Sequence, residues 1–245
     1  MKNATKTVVL TSLFTLMITM VQADPFIRPP ETYAPVWYTS FPYQRNIDMG
    51  FSVNPVSSPG YGIPGAVYEG TLDPSLLSSD YVTLTGAATW YASVLVSGST
   101  YTGLIGIDNR AGNSTLTGTA IFHIDNIDDS LPLKDVWLES LDLDNQAYAG
   151  EFLNWQVFDP NNNLATYLGG PANSLLGNNE WLSDAEWQIT PNPNYETVVE
   201  TFSVPAGDYA LIDNLHIATE CVVPEPATFS LLALGGLALL WRRRS

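Results

Sequence analysis

Phe152-Leu153-Asn154-Trp155-Gln156-Val157-Phe158 has the pattern of a half-buried β-strand. Leu153, Trp155 and Val157 share one face at the two-residue strand period, and Asn154 and Gln156 share the other. Similar β-branched or aromatic runs lie on either side of it: Tyr81–Thr85, Thr89–Val96, Tyr101–Ile107, Thr115–Ile124, Val136–Leu143, Tyr195–Val204 and Tyr209–Ile217. Gly86, Gly98 and the Asp108-Asn109 pair punctuate them as turns. In the last run, alternation assigns Tyr209, Leu211, Leu215 and Ile217 to one face, with Asp213 among them. Helical periodicity of useful length is confined to the two chain ends. Ser183-Asp184-Ala185-Glu186 matches a capping box, which predicts one short helix near Trp187. Strands at this spacing predict an all-β domain, a jelly-roll-type β-sandwich with less than about 10% helix.

Residues 25–74 differ in composition. Nine of the 17 prolines fall here, interleaved with aromatics such as Tyr33, Trp37, Phe41 and Tyr61. Proline removes a ladder donor, so edge strands and long ordered loops are expected. The aromatic content argues against disorder. Asp73-Pro74 could cap a single helical turn through Ser78.

The chain of 245 residues carries a formal charge of −16. Between residues 24 and 223 only Arg28, Arg45, Arg110 and Lys134 are basic, against 24 of the 25 acids, a net of −20. Such a field repels phosphate backbones and excludes nucleic acid as a partner. Some 200 residues suit one β-sandwich, residues 24–220. Cys221 is the single cysteine, so no intramolecular disulfide or cysteine-rich metal site can form, and stability must come from packing.

The two ends carry the clearest signals. Lys2 and Lys6 precede the apolar stretch Val8–Val21, and Val21-Gln22-Ala23 offers small residues to a signal peptidase. Residues 1–23 therefore read as a removable secretory signal helix, cleaved between Ala23 and Asp24. At the other end, Val223-Pro224-Glu225-Pro226 is followed by an apolar run, then Trp241 and Arg242-Arg243-Arg244. Prolines around a glutamate continue neither strand nor helix, so this linker is extended and exposed. Residues 227–241 form a short transmembrane segment, with Trp241 at the interface and the arginines as the cytoplasmic stop.

Residues 221–245, with these elements in this order, resemble the PEP-CTERM sorting signal. The resemblance implies recognition by an exosortase at Val223, Pro224, Glu225 and Pro226. It also implies transient anchoring in the inner membrane, loss of the tail, and delivery to the cell surface or extracellular matrix of a Gram-negative bacterium that makes polysaccharide. Separately, Pro205-Ala206-Gly207-Asp208-Tyr209-Ala210-Leu211-Ile212-Asp213-Asn214-Leu215 resembles the closing strand of carbohydrate-binding-module jelly rolls.

Candidate chemistry is sparse. Asp125, Asp128 and Asp129 form one acidic cluster, and Asp142 and Asp144 another. These are the calcium candidates, since calcium takes 6–8 oxygen ligands, although neither fits an EF-hand loop. The competing reading is of solvated turns. No other cofactor is indicated. His123 and His216 both fall in strand runs and are expected to be packed or half-exposed. No Gly-x-Ser-x-Gly elbow exists, and acids are too common to single out a catalytic pair. Trp181 and Trp187 flank a polar segment containing Asn178, Asn179 and Asp184, so among the tryptophans they are the candidates for exposure and glycan contact, with core packing the competing reading.

The function expected from the sequence is a non-catalytic surface or matrix protein with a structural or interaction role in an exopolysaccharide or biofilm matrix. Its partners would be the signal peptidase and exosortase during processing, then polysaccharide or matrix proteins. A carbohydrate-binding module is the first alternative and a secreted glycan hydrolase the second. Mass spectrometry of surface-extracted protein is expected to show Asp24 as the first residue and no peptide from Leu231–Trp241. An intact Met1 start, or peptides from that tail, would refute this processing scheme.

Overall fold

The computed structural model describes residues 44–60, 62–70, 79–126, 132–145, 153–169, 174–177 and 179–222. All fall in one unit, Trp37–Ser245. Residues 1–23, the Asp73-Pro74 turn, Asp128, Asp129 and the sorting tail lie outside the described residues.

Thirteen strands follow one another: β1 Gln44–Met49, β2 Val67–Gly70, β3 Tyr81–Gly86, β4 Thr89–Val96, β5 Ser99–Asp108, β6 Leu116–Asp125, β7 Leu133–Asp144, β8 Leu153–Phe158, β9 Thr166–Gly169, β10 Ser174–Gly177, β11 Glu180–Ile189, β12 Tyr195–Val204 and β13 Tyr209–Val222. The larger sheet has nine strands, with the path β10-β11-β7-β13-β1-β2; β4 and β5 join along β13, and β9 joins along β11. The smaller sheet has the order β3-β6-β12-β8. From β6 onward the chain alternates sheets as it passes through β7, β8, β11, β12 and β13, which winds it as a jelly-roll-type sandwich. The paired strands are antiparallel throughout.

Alternation decides what enters the core. On β12, Val198, Phe202 and Val204 are buried, with partly exposed Thr197, Val199 and Thr201 between them. On β7, Val136 and Leu138 meet the same core as Phe122, Ile124, Val157, Ile212 and Ile217. This dry layer between the sheets is the hydrophobic driving force for the fold.

Four expectations are corrected. The Ser183–Glu186 segment is not a helix but the middle of β11, paired residue for residue with β7 from Glu180↔Leu143 to Ile189↔Lys134. Ladder pairing in the sheet overrides the local capping signal. Second, of the two described strands in the proline-rich stretch, β2 ends the sheet as an edge strand but β1 does not: it pairs with β13 on one side and β2 on the other. Gln44–Met49 contains no proline, so both of its edges can donate to ladders. Third, the face assigned to the last strand breaks in its middle. The β13–β7 register shifts between Ile212 and Asn214, leaving Asp213 as an extra residue. Ala210 and Ile212 therefore share the inner core with Leu215 and Ile217. Tyr209 and Leu211 turn outward to a second cluster with Val94, Val96, Leu104 and Leu143. Fourth, Asp142 and Asp144 are not in a solvated turn; they are buried residues of β7.

The β4–β5 hairpin turns at Ser97 and Gly98, both with positive φ, as the twist of a two-residue hairpin requires. Gly106 is constrained differently. A Cβ there would lie 2.2 Å from the Ala210 carbonyl oxygen on β13, whereas one at Gly98 would meet nothing within 4 Å. Gly98→Ala is expected to cost only the backbone strain of a positive φ, roughly 1–3 kcal/mol. Gly106→Ala should cost more, because backbone must move and the β5–β13 pairing opens. Denaturant unfolding of both variants checks the order, and equal losses would contradict it.

Candidate functional site

The large sheet extends beyond the small one on its β11 side, and a cleft of about 390 Å³ opens there between the β8 edge and the inner face of β7 and β11. This lies within the size of small-molecule sites, roughly 300–1,000 Å³. Leu138 and Asp142 of β7 and Ser183, Asp184, Ala185 and Trp187 of β11 form its floor; Leu153–Gln156 of β8 with Leu164, Ala165 and Tyr167 form its rim.

Strand parity places the inward residues of the floor. On β11, Ala185, Trp187 and Ile189 point into the sandwich, which puts Ser183 on the same face. Tyr167 reaches the cleft because β9 pairs with β11, with Tyr167 opposite Trp187. Their rings stand 5.7 Å apart at 60°. Tyr167 is 51% exposed, and Leu164 and Leu168 beside it are 58% and 47% exposed. Trp155 packs on the main core from the β8 side.

The polar groups of the floor are incompletely paired among the described residues. Ser140 Oγ donates to Asp142 Oδ2 at 3.0 Å. Ser183 lies close enough to ease the charge on Asp142, yet neither Ser183 Oγ nor Asp142 Oδ1 closes a hydrogen bond of good geometry. Trp155 Nε1 is likewise unpaired. Behind the cleft, Glu200 of β12 faces the interior beside Val198 and Phe202, fully buried; the Asn154 backbone N–H lies close enough to ease its charge, yet neither carboxyl oxygen closes a hydrogen bond of good geometry. Burial pushes Asp142 up to about 7, with the Asp144 charge adding to the rise. Burial also raises Glu200 well above the ordinary value, and Asp142 adds to it.

Two other buried acids, Glu196 and Asp80, have cations. Lys134 Nζ lies 2.5 Å from Glu196 Oε2, both side chains fully buried. Arg45 pairs with Asp80 and donates to the Asp125 carbonyl at 2.6 Å. Arg110 pairs with Asp108 at 2.6 Å.

The remaining sequence candidates scatter. Trp181 and Trp187 are not exposed: 8% and 4% of their surface is accessible, because both lie on the inward face of β11. Only Trp187 lines the cleft. Asp125 is engaged, its Oδ1 lying 3.1 Å from His123 Nε2. His123 stacks between Tyr81 and Tyr195 on the small sheet. His216 belongs to the large sheet, with Nδ1 2.7 Å from Asp48 Oδ1, so the two histidines serve separate local contacts. Among the described residues, no group of three or more His, Cys, Asp or Glu could hold a metal ion. The same residues include no helix long and apolar enough to cross a membrane. Sequence reasoning missed Tyr167, Ser183 and the Asp142–Glu200 relation; only the parity of β7 and β12 hinted at the last.

The final described residue, Val222, closes β13, and the comparison with known families begins there. Residues 222–244 match the PEP-CTERM protein-sorting motif. The chain carries an exosortase sorting signal. It is therefore an exported protein, anchored transiently in the membrane before sorting to the cell surface. No curated protein matches the chain in sequence. Among solved structures it is similar to the carbohydrate-binding module TmCBM61 in complex with β-1,4-galactotriose, at 10% identity over 56% of this chain and 86% of that one, with a TM-score of 0.29. It is also similar to the mannan-recognising module TmCBM27, at 8% identity over 55% and 87%, TM-score 0.29. A third is the xylan-binding CBM22-1 domain of Paenibacillus barcinonensis Xyn10C, at 13% identity over 58% and 87%, TM-score 0.29. Values this low leave the functional reading to the cleft itself.

The raised carboxyls set a pH dependence. Between the ordinary 3.8 and about 7, folded Asp142 keeps a proton that the unfolded chain releases, so stability falls as pH rises through that window. Asp80 and Asp213, both raised to about 6 mainly by burial, act in the same direction. Wild-type protein is expected to melt lower at pH 8 than at pH 5. Asp142→Asn should gain on wild type across that range by on the order of a few kcal/mol, at about 1.4 kcal/mol per pH unit. Thermal melts of both proteins at the two pH values check this; a constant difference between them would contradict it.

Proposed function

We propose that the sandwich is a non-catalytic surface module that binds polysaccharide through the β7–β8–β11 cleft, in the extracellular matrix of a Gram-negative bacterium. The observation that carries this is the pairing of aromatic faces, Tyr167 and Trp187, with inward polar atoms that lack good partners, Asp142 Oδ1, Ser183 Oγ and Trp155 Nε1. Sugar rings offer apolar C–H faces to aromatic rings and hydroxyls to such atoms. A buried polar atom left unpaired is costly, and a ligand hydroxyl relieves it. The residues 24–220 form the binding domain, released from its tail after exosortase recognition of Val223–Pro226.

Calcium is not assigned to this cleft, because among the described residues no group of three or more His, Cys, Asp or Glu could hold a metal ion. Any calcium taken up belongs near Asp125, Asp128 and Asp129.

A glycan array probed with the surface-extracted protein is expected to show polysaccharide binding. Tyr167→Ala should weaken it by about 1.5–3 kcal/mol, the burial of one aromatic side chain, with little change in melting temperature because the ring is half exposed. Binding unaltered by that variant would remove the cleft from the reading. Polysaccharide cleavage lost in Asp142→Asn would replace binding by hydrolysis. In the cell, alanines at Pro224, Glu225 and Pro226 should leave export intact and retain the protein in the inner membrane; normal release would contradict the sorting role of that motif.

A further inference from the structure

The cations of the fold are all engaged where the structure describes them. Arg45 is held by Asp80, Lys134 by Glu196 and Arg110 by Asp108. These are the only lysines and arginines among the described residues. The two inward glutamates of β12 therefore differ. Glu196 has Lys134 opposite it, whereas Glu200 faces Asp142, another acid. Asp142 is 1% exposed and Glu200 fully buried. Asp142 Oδ1 and both Glu200 oxygens lack a hydrogen bond of good geometry. Asp142 lines the cleft, so the unbalanced acid pair lies where a ligand can reach it.

Burial keeps Asp142 and Glu200 protonated, and a neutral hydroxyl would give Asp142 a hydrogen-bond partner without changing that. Among the described residues no group of three or more His, Cys, Asp or Glu could hold a metal ion here. An ammonium group supplies up to three donors and a positive charge that lets Asp142 ionise, its proton leaving to solvent as the ion pair forms. The cleft rim adds aromatic faces, Tyr167 and Trp187, which attract cations as well as sugar C–H faces. No lysine, arginine or histidine lines the cleft among the described residues, so an anionic sugar finds no partner.

From the uncompensated Asp142–Glu200 pair at the floor of this cleft, we infer that the glycan recognised is an amino sugar polymer carrying free amines, with its ammonium group seated on Asp142. This deepens the polysaccharide-binding reading and rests on it. Free amines arise by deacetylation of N-acetylated sugar units, so the chemistry that supplies this ligand is amide hydrolysis on a polysaccharide.

Isothermal titration of the surface-extracted protein with three oligosaccharides of equal length tests the inference: a glucosamine hexamer, its fully N-acetylated counterpart and a uronic acid hexamer. At about pH 6 the glucosamine amines carry protons. The glucosamine hexamer is expected to bind at least about tenfold more tightly than the N-acetylated one, a difference of about 1.4 kcal/mol. The uronic acid hexamer should not bind. Asp142→Asn and Glu200→Gln should each shrink the ratio of the two affinities, while both variants melt no lower than wild type. Equal binding of the two hexosamines overturns the ammonium inference but leaves the cleft reading standing. No binding of any oligosaccharide by wild type, together with a blank glycan array, removes both. A preference that persists in Asp142→Asn and disappears at high salt belongs to the diffuse negative surface and overturns the inference. So does calcium-dependent competition for the cleft.

Discussion

β13 is hydrogen-bonded along both of its edges for most of its length. On one side it pairs with β7 from Ala210↔Asp144 to Val222↔Leu133; on the other it meets β5 in its first half and β1 in its second. Three non-adjacent parts of the chain are therefore registered against one strand. The bulge at Asp213 makes that possible. One extra residue lets Ala210 and Ile212 share the core with Leu215 and Ile217, while Tyr209 and Leu211 bind the β4–β5 hairpin from the other face. Without it, the second half of the strand would turn its apolar residues away from the small sheet.

The register of β7 against β13 also sets the chemistry. It places Lys134, Val136, Leu138, Ser140 and Asp142 along the inward face, so the same strand runs from a paired cation through dry core to an unpaired acid. Lys134 and Glu196 compensate each other in the interior, where a lone charge would be prohibitive. Asp142 and Glu200 have no such cation, and burial keeps them protonated at a pH where surface carboxyls are ionised. The sandwich is thus balanced at one end and polar without compensation at the other, where the larger sheet is left uncovered and the cleft opens.

Strands with strict alternation were legible. Tyr195–Val204 is a strand with the expected bounds, and the runs at Thr89–Val96 and Thr115–Ile124 match theirs within a residue or two. β11 was not legible, because its polar inserts, Ser183, Asp184 and Glu186, obey helix capping as well as they obey a strand. A neighbour decides between the two, and that neighbour, β7, is far away in sequence. The short strands β9 and β10 carry too few residues to show a period. Trp181 and Trp187 were set among the surface candidates from polar neighbours, yet Asp184 has the opposite parity on the strand and Asn179 lies in the adjoining turn.

The sequence by itself determined the address and the class. A sorting signal is read as a linear string by the membrane machinery, so Val223–Pro226, Trp241 and the arginines carry their meaning without a fold. Strand periodicity is likewise local, and so the all-β class was visible. Only the tertiary structure decided which face of each strand is buried, where β13 bulges, and that Asp142, Glu200, Ser183, Tyr167 and Trp187 surround or back one cleft. Those facts depend on pairing between distant segments. The register that brings an acid opposite another acid rather than opposite a lysine is a property of the assembled sheets, and no window of sequence contains both partners.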